Sequence, residues 1–222
     1  VIKLGNMLRH FYEAEDLLVF GSGYSLALAS YKAMECGKTG MEFAVGIPGS
    51  IGGAVYMNAG AYDGEMQNIV NCVKVMDLQG NERVLTAEEL NFGYRKTSLQ
   101  NSGLIVTEVT LKMPSGNKDE IKSKMDDFSH RRISKQPLEM PSAGSMFKRP
   151  PGYFAGTLID QAGLKGYTVG GAQISTKHAG FVVNVGGATA ADVLQLIKDV
   201  QTKIKAGVGV ELQPEVLVIG EE

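Results

Sequence analysis

The stretch from Glu42 to Gly64, EFAVGIPGSIGGAVYMNAGAYDG, places six glycines between Gly46 and Gly64 among residues that are mostly small or apolar. Glycine admits positive φ and lets amide N–H groups approach a partner with no side chain in the way. That suits a pyrophosphate or a flat ring system. The same composition suits a buried, tightly turned connection whose glycines serve packing alone. Two common nucleotide motifs are excluded by the residue order: the stretch has neither the Gly-Lys-Ser/Thr ending of a P-loop nor the G-x-G-x-x-G spacing of a dinucleotide fold.

Downstream, IVNCVKVMDL (69–78) and LIVTEVTLKM (104–113) alternate in the manner of strands, with a turn at Gln79-Gly80-Asn81 after the first. Pro114-Ser115-Gly116-Asn117 breaks this sheet-like half. In DEIKSKMDDFSHRRI (119–133), Ile121, Met125 and Phe128 then recur at helical spacing, with acids early and basic residues late. The change of composition puts a domain boundary near residue 116. Four prolines between Pro137 and Pro151 define an extended loop that is neither helix nor central strand. Beyond it, YFAGTLIDQAGL reads as a short helix and GFVVNVGG as a strand. TAADVLQLIKDVQTKIKAG is a long amphipathic helix with Thr189 as its cap and Val193, Ile197, Val200 and Ile204 on one face. The closing apolar run after Pro214 is expected to return to the first sheet.

The 222 residues are enough for a large core in one or two domains. A net charge of −2 with interspersed signs offers no basic face for nucleic acid and no polybasic membrane patch. Cys36 and Cys72 stand far apart without ligand spacing, so neither a disulfide framework nor a metal site is expected. No apolar run approaches a bilayer span and no signal segment opens the chain, which predicts a cytoplasmic protein. The start on Val1 rather than methionine predicts a fragment or a processed product.

Together with FGYRKTS (92–98), PSAGSMFKRPPGYFAGTLIDQAGLKG (141–166) and ELQPEVLVIG (211–220), the Gly-rich stretch resembles the UDP-N-acetylenolpyruvoylglucosamine reductases, flavoenzymes that make UDP-N-acetylmuramate for the bacterial cell wall. The four matches occur in the family's order. With no insertion between Lys112 and Lys135 to supply a tyrosine-bearing loop, the shorter class is the better match. The resemblance implies an α+β fold: a mainly antiparallel FAD-binding sheet lobe at 1–116 and 214–222, and a smaller α/β lobe at 117–213 for the UDP-sugar. It also implies that a further N-terminal flavin lobe precedes Val1.

By the same resemblance, FAD is held by Gly46, Ile47, Pro48, Gly49, Ser50, Gly52, Gly53, Ala54, Asn58, Gly60 and Ala61, and NADPH is the electron donor. Arg95 matches the family's catalytic arginine, whose planar, permanently charged fork suits a carboxylate. Ser145 is implied as the proton donor to the carbanion left by hydride transfer. A serine is a weak acid, so that role calls for a strongly basic intermediate and nearby cations such as Lys148 or Arg149. Glu215, after Pro214, matches the catalytic glutamate. Tyr94, Arg132, Lys135, Lys148, Arg149 and His178 are the expected substrate contacts, with a monomer acting on small molecules only. Read without the resemblance, Arg95 is a surface ion pair, Ser145 a turn residue, Glu215 an edge-strand carboxylate and His178 a structural histidine. Two other functions stand beside the reductase. One is a catalytically silent sugar-nucleotide or flavin module, if the preceding lobe is needed to seat FAD. The other is an oxidase of the wider flavin family.

Overall fold

A computed structural model describes residues 3–220. The chain divides into two compact units, 1–131 and 132–222.

In the first unit, β1 (Phe11–Ala14) and β2 (Leu17–Gly21) form a hairpin that turns at Glu15, a residue with positive φ. β5 (Val70–Met76), β6 (Glu82–Thr86) and β7 (Ile105–Lys112) complete an antiparallel sheet in the order β1-β2-β7-β5-β6. The predicted strands at 69–78 and 104–113 are β5 and β7, and they pair directly. Alternation buries Val73, Val75, Val109 and Leu111 on one face. That face packs against α1 (Leu26–Glu35) and α2 (Ile51–Tyr56) through Leu18, Phe20, Leu26, Ala29, Ile51 and Val55. A small hairpin of β3 (Gly60–Ala61) and β4 (Gly64–Glu65) follows α2, and its two turn residues, Tyr62 and Asp63, both have positive φ.

The helix expected over 119–133 is α3 (Lys118–Lys135), and its Ile121, Met125 and Phe128 are buried with Val45, Met34 and Tyr62. α3 runs through the division at 131, and the composition break near 116 falls just before the start of this helix.

The second unit carries an all-antiparallel sheet ordered β8-β11-β10-β9, made of β8 (Ser142–Ser145), β9 (Thr168–Val169), β10 (Ala172–Ile174) and β11 (Phe181–Asn184). Within the Pro-rich loop, β8 takes an edge position, the one strand role that prolines nearby allow. α4 (Ala155–Gln161) and α5 (Ala190–Val208) cover the sheet, with Leu158, Ile159, Leu196, Ile197, Val200 and Ile204 in a separate core. Thr189 caps α5 in a reciprocal box with Asp192, as its Thr-x-x-Asp spacing predicts.

The expected return of the C-terminal run to the first sheet is not seen among the described residues. Instead, Lys148 N–H donates to Gln213 O (2.8 Å) and Glu215 N–H to Met146 O (2.9 Å), so the segment pairs within the second unit. Pro214 has no N–H and cannot take an inner place in a ladder, which leaves it a single bridge to Phe147. No described helix is long and apolar enough to cross a membrane.

Candidate active site

The Gly-rich stretch separates into two kinds of glycine. At Gly52 a Cβ would lie 2.7 Å from Ser22 Cβ, and at Gly60 and Gly64 it would strike Glu65 and Phe43, so these three serve close packing. Gly49 has open space around it at φ +113°, and Gly53 meets only Ser50 Oγ at 3.4 Å. Ser50 and Ser25 cap α2 and α1 and lie side by side in an antiparallel bridge, with Leu26 N–H donating to Gly49 O and Ile51 N–H to Tyr24 O. Both readings of the stretch are therefore realised, at different residues. Gly46, Pro48, Gly49 and Gly53 are exposed, whereas Gly52 and Ala54 are buried; Ile47, Ser50, Gly60 and Ala61 are half-buried.

Gly49 and Ser50 open onto a groove of about 530 Å³ lined also by Arg9, Gly23, Tyr24, Ser25 and Leu28. This groove suits an anionic, partly aromatic cofactor: backbone can approach at Gly49, where no atom would meet a Cβ, and Arg9 supplies positive charge. Sequence reasoning missed Arg9, Tyr24 and Ser25. The signal that could have found Tyr24 and Ser25 is Gly21-Ser22-Gly23-Tyr24-Ser25, a glycine-rich strand-to-helix turn; nothing local marks Arg9.

Asn58 is fully buried at 0% exposure, with its side-chain amide bonded inward to Glu65, Gly93 and Gln67. A side-chain contact between Asn58 and a cofactor has no exposed atom to make it.

Arg95 occupies the tight turn Gly93–Lys96 with φ +54°, and its guanidinium donates to Asn58 O (3.4 Å) and Gly60 O (3.1 Å). The cation lies 5.2 Å from the Tyr94 ring centroid, with Tyr94 itself largely exposed. Backbone carbonyls are thus among the groups that hold this arginine. In the second unit, Ser145 lies at the edge of β8 opposite Phe181, and its hydroxyl donates to Phe147 O (3.3 Å). Because Met146 O receives the Glu215 N–H, Ser145 and Glu215 lie on adjacent paired segments although they are far apart in the chain.

Lys148 and Arg149 follow directly, and Arg149 stacks on the Phe154 ring at 4.0 Å. Lys135 is exposed, and Arg132 is half-buried and donates to Gln136 (3.4 Å). His178 is half-buried. Its Nδ1 accepts the Gly180 N–H (3.0 Å), and its ring meets Phe181 edge-on at 5.0 Å. Burial pushes its pKa below the ordinary histidine value, so the ring is held neutral with its proton on Nε2.

Residues 136–219 match the family model described as the C-terminal domain of UDP-N-acetylenolpyruvoylglucosamine reductase, and residues 1–86 match an FAD binding domain. A UDP-N-acetylenolpyruvoylglucosamine reductase of Clostridium perfringens (strain SM101 / Type A) is 54% identical over all 222 residues, which cover 73% of its length.

The chain belongs to the UDP-N-acetylenolpyruvoylglucosamine reductase family.

A family member from Pediococcus pentosaceus is 51% identical over 205 residues, covering 92% of this chain and 68% of the relative. The crystal structure of the reductase from Thermus caldophilus superposes with a TM-score of 0.82 at 40% identity, over 96% of this chain and 76% of that one. The α+β fold is thus the reductase fold. The FAD-domain match contains both the groove and its Gly-rich wall.

Proposed function

We propose that the chain reduces UDP-N-acetylglucosamine enolpyruvate to UDP-N-acetylmuramate in peptidoglycan precursor synthesis, using FAD and NADPH. The observation that carries the reading is the pairing of segment 145–147 with 213–215, which sets a hydroxyl donor and a carboxylate on neighbouring segments. FAD, when bound, supplies the redox chemistry by taking a hydride from NADPH and passing it to the enol ether double bond. Gly49, Ser50, Gly53, Ser25 and Arg9 hold its diphosphate, with Gly46, Ile47 and Pro48 at the groove's edge. The first unit is the flavin lobe. The second, which holds 132–213 of the domain expected at 117–213, takes the UDP-sugar.

Arg95 binds the substrate carboxylate and takes up the negative charge that grows there as hydride arrives. Ser145 then gives its hydroxyl proton to the adjacent carbon. Lys148 and Arg149 stabilise the resulting alkoxide, and Glu215 relays a proton back or polarises the enol. Lys135, Arg132, His178 and Tyr94 complete the sugar-nucleotide site. The reading includes a cytoplasmic monomer.

Absorption spectroscopy tests this in sequence: FAD is added, excess is removed, and anaerobic NADPH and then the enolpyruvyl UDP-sugar follow. The expected record is a retained flavin band that NADPH bleaches and the sugar nucleotide restores. Bleaching by NADPH with no recovery on adding the sugar nucleotide refutes the assigned substrate, and a colourless protein after desalting refutes FAD binding by this chain.

A further inference from the structure

We propose that Asn58 is the positioning residue for Arg95, fixing where its guanidinium meets a substrate carboxylate; this rests on the role given to Arg95 above. Arg95 is the second central residue of a turn closed by Gly93 N–H to Lys96 O (2.9 Å) and Lys96 N–H to Gly93 O (3.1 Å). A left-handed backbone at a non-glycine residue costs about 1–2 kcal/mol, so something must hold it there. Asn58 does so at two points. Its Nδ2 donates to Gly93 O (3.0 Å), filling that carbonyl's second lone pair and pinning the turn by its first residue. Its own backbone carbonyl accepts Arg95 Nη1, while Gly60 O takes Nη2.

The clamp is itself anchored. The second Nδ2 proton goes to Glu65 Oε2 (3.0 Å), Oδ1 accepts the Gln67 N–H (3.0 Å), and Glu65 is bonded in turn by the Gln67 side chain. Asn58 has φ +43°, a conformation that asparagine tolerates better than other side-chain-bearing residues. The position therefore calls for two donors, one acceptor and a left-handed backbone in a site closed to water. Aspartate at this place would turn an acceptor toward Gly93 O and set a second carboxylate against Glu65.

The test compares the affinity of the full chain for UDP-N-acetylglucosamine enolpyruvate with that for UDP-N-acetylglucosamine, which lacks the carboxylate, by calorimetry. The ratio reports the contacts of the enolpyruvyl group, and its change in Arg95→Ala reports the share that belongs to the carboxylate, with no turnover needed. Arg95→Ala should lower the ratio about tenfold or more, the size of one charge-assisted contact. Asn58→Asp should lower it several-fold, and the double variant no further than Arg95→Ala alone. Asn58→Gly keeps the left-handed backbone without adding a charge, and should also lower the ratio if the aspartate variant fails to fold. An unchanged ratio in Asn58→Gly, or losses that add in the double variant, overturns the proposal by showing that Asn58 does not act through Arg95. An unchanged ratio in Arg95→Ala overturns the reading of Arg95 itself, and the proposal with it.

Discussion

Glu42 is buried at 3% exposure and accepts hydrogen bonds from Thr39 Oγ1 (2.6 Å) and Gly40 N–H (2.7 Å). Burial alone raises its pKa, but these donors and the charge of Lys124 outweigh it and hold the group below the ordinary glutamate value of 4.5. A carboxylate with a lowered folded pKa contributes stability that is complete above the unfolded value and is lost as pH falls through the folded one. Glu42→Gln sets an NH2 against one of the two donors, and should cost about 1–3 kcal/mol at pH 7 with a flatter decline below pH 4.5. Urea midpoints from pH 7 to 3 measure both. His178 shifts in the same sense: stability rises with pH between its lowered folded value and the ordinary 6.5, so an NMR titration should place its midpoint below 6.5. At this scale residue types were legible and roles were not: without the family resemblance, Arg95 in YRKTS reads as a surface ion pair and Glu215 after proline as an edge-strand carboxylate. What a string hides is a partner's approach from elsewhere, as when the Gly93 carbonyl takes the amide of buried Asn58 across 35 positions of sequence.

Neighbouring glycines of α2 make opposite demands on the helix. Gly52 N–H donates to Ser22 O (2.9 Å), and a Cβ there meets Ser22 backbone and side chain at 2.7–3.2 Å, so Gly52→Ala must push α2 from β2. We expect a loss of about 1–3 kcal/mol in thermal or urea unfolding. Gly53→Ala has room and a better helix former, which should stabilise by up to about 1 kcal/mol. If flavin lies against this exposed turn, the same change should weaken FAD retention, so stability and cofactor affinity should move in opposite directions. Thr189→Ala removes the N-cap of α5 and should cost about 1 kcal/mol. The strands and long helices were readable because their periods of 2 and 3.6 are carried locally. By contrast, β8, β9 and β10 have two to four residues each, too few to show a period.

The molecule has separate cores in its two units, one on the five-stranded sheet and one between α5 and the four-stranded sheet. Leu196 is fully buried in the second of these. Leu196→Ala should cost that unit about 2–5 kcal/mol, and hydrogen exchange should quicken mainly across 132–220 while β5 and β7 stay protected. Equal acceleration in both units would mean that the chain unfolds as one. Taken by itself, the sequence determined the alternation of β5 and β7, the buried stripes of α3 and α5, the Thr189 cap and the family, because each rests on residues close together or on motifs held in order. Only the tertiary structure decided which glycines are packed and which are open, that Asn58 faces inward toward Arg95's turn, and that the C-terminal segment pairs beside Ser145. Those outcomes depend on which backbone groups meet across long sequence separations, and no local pattern encodes that.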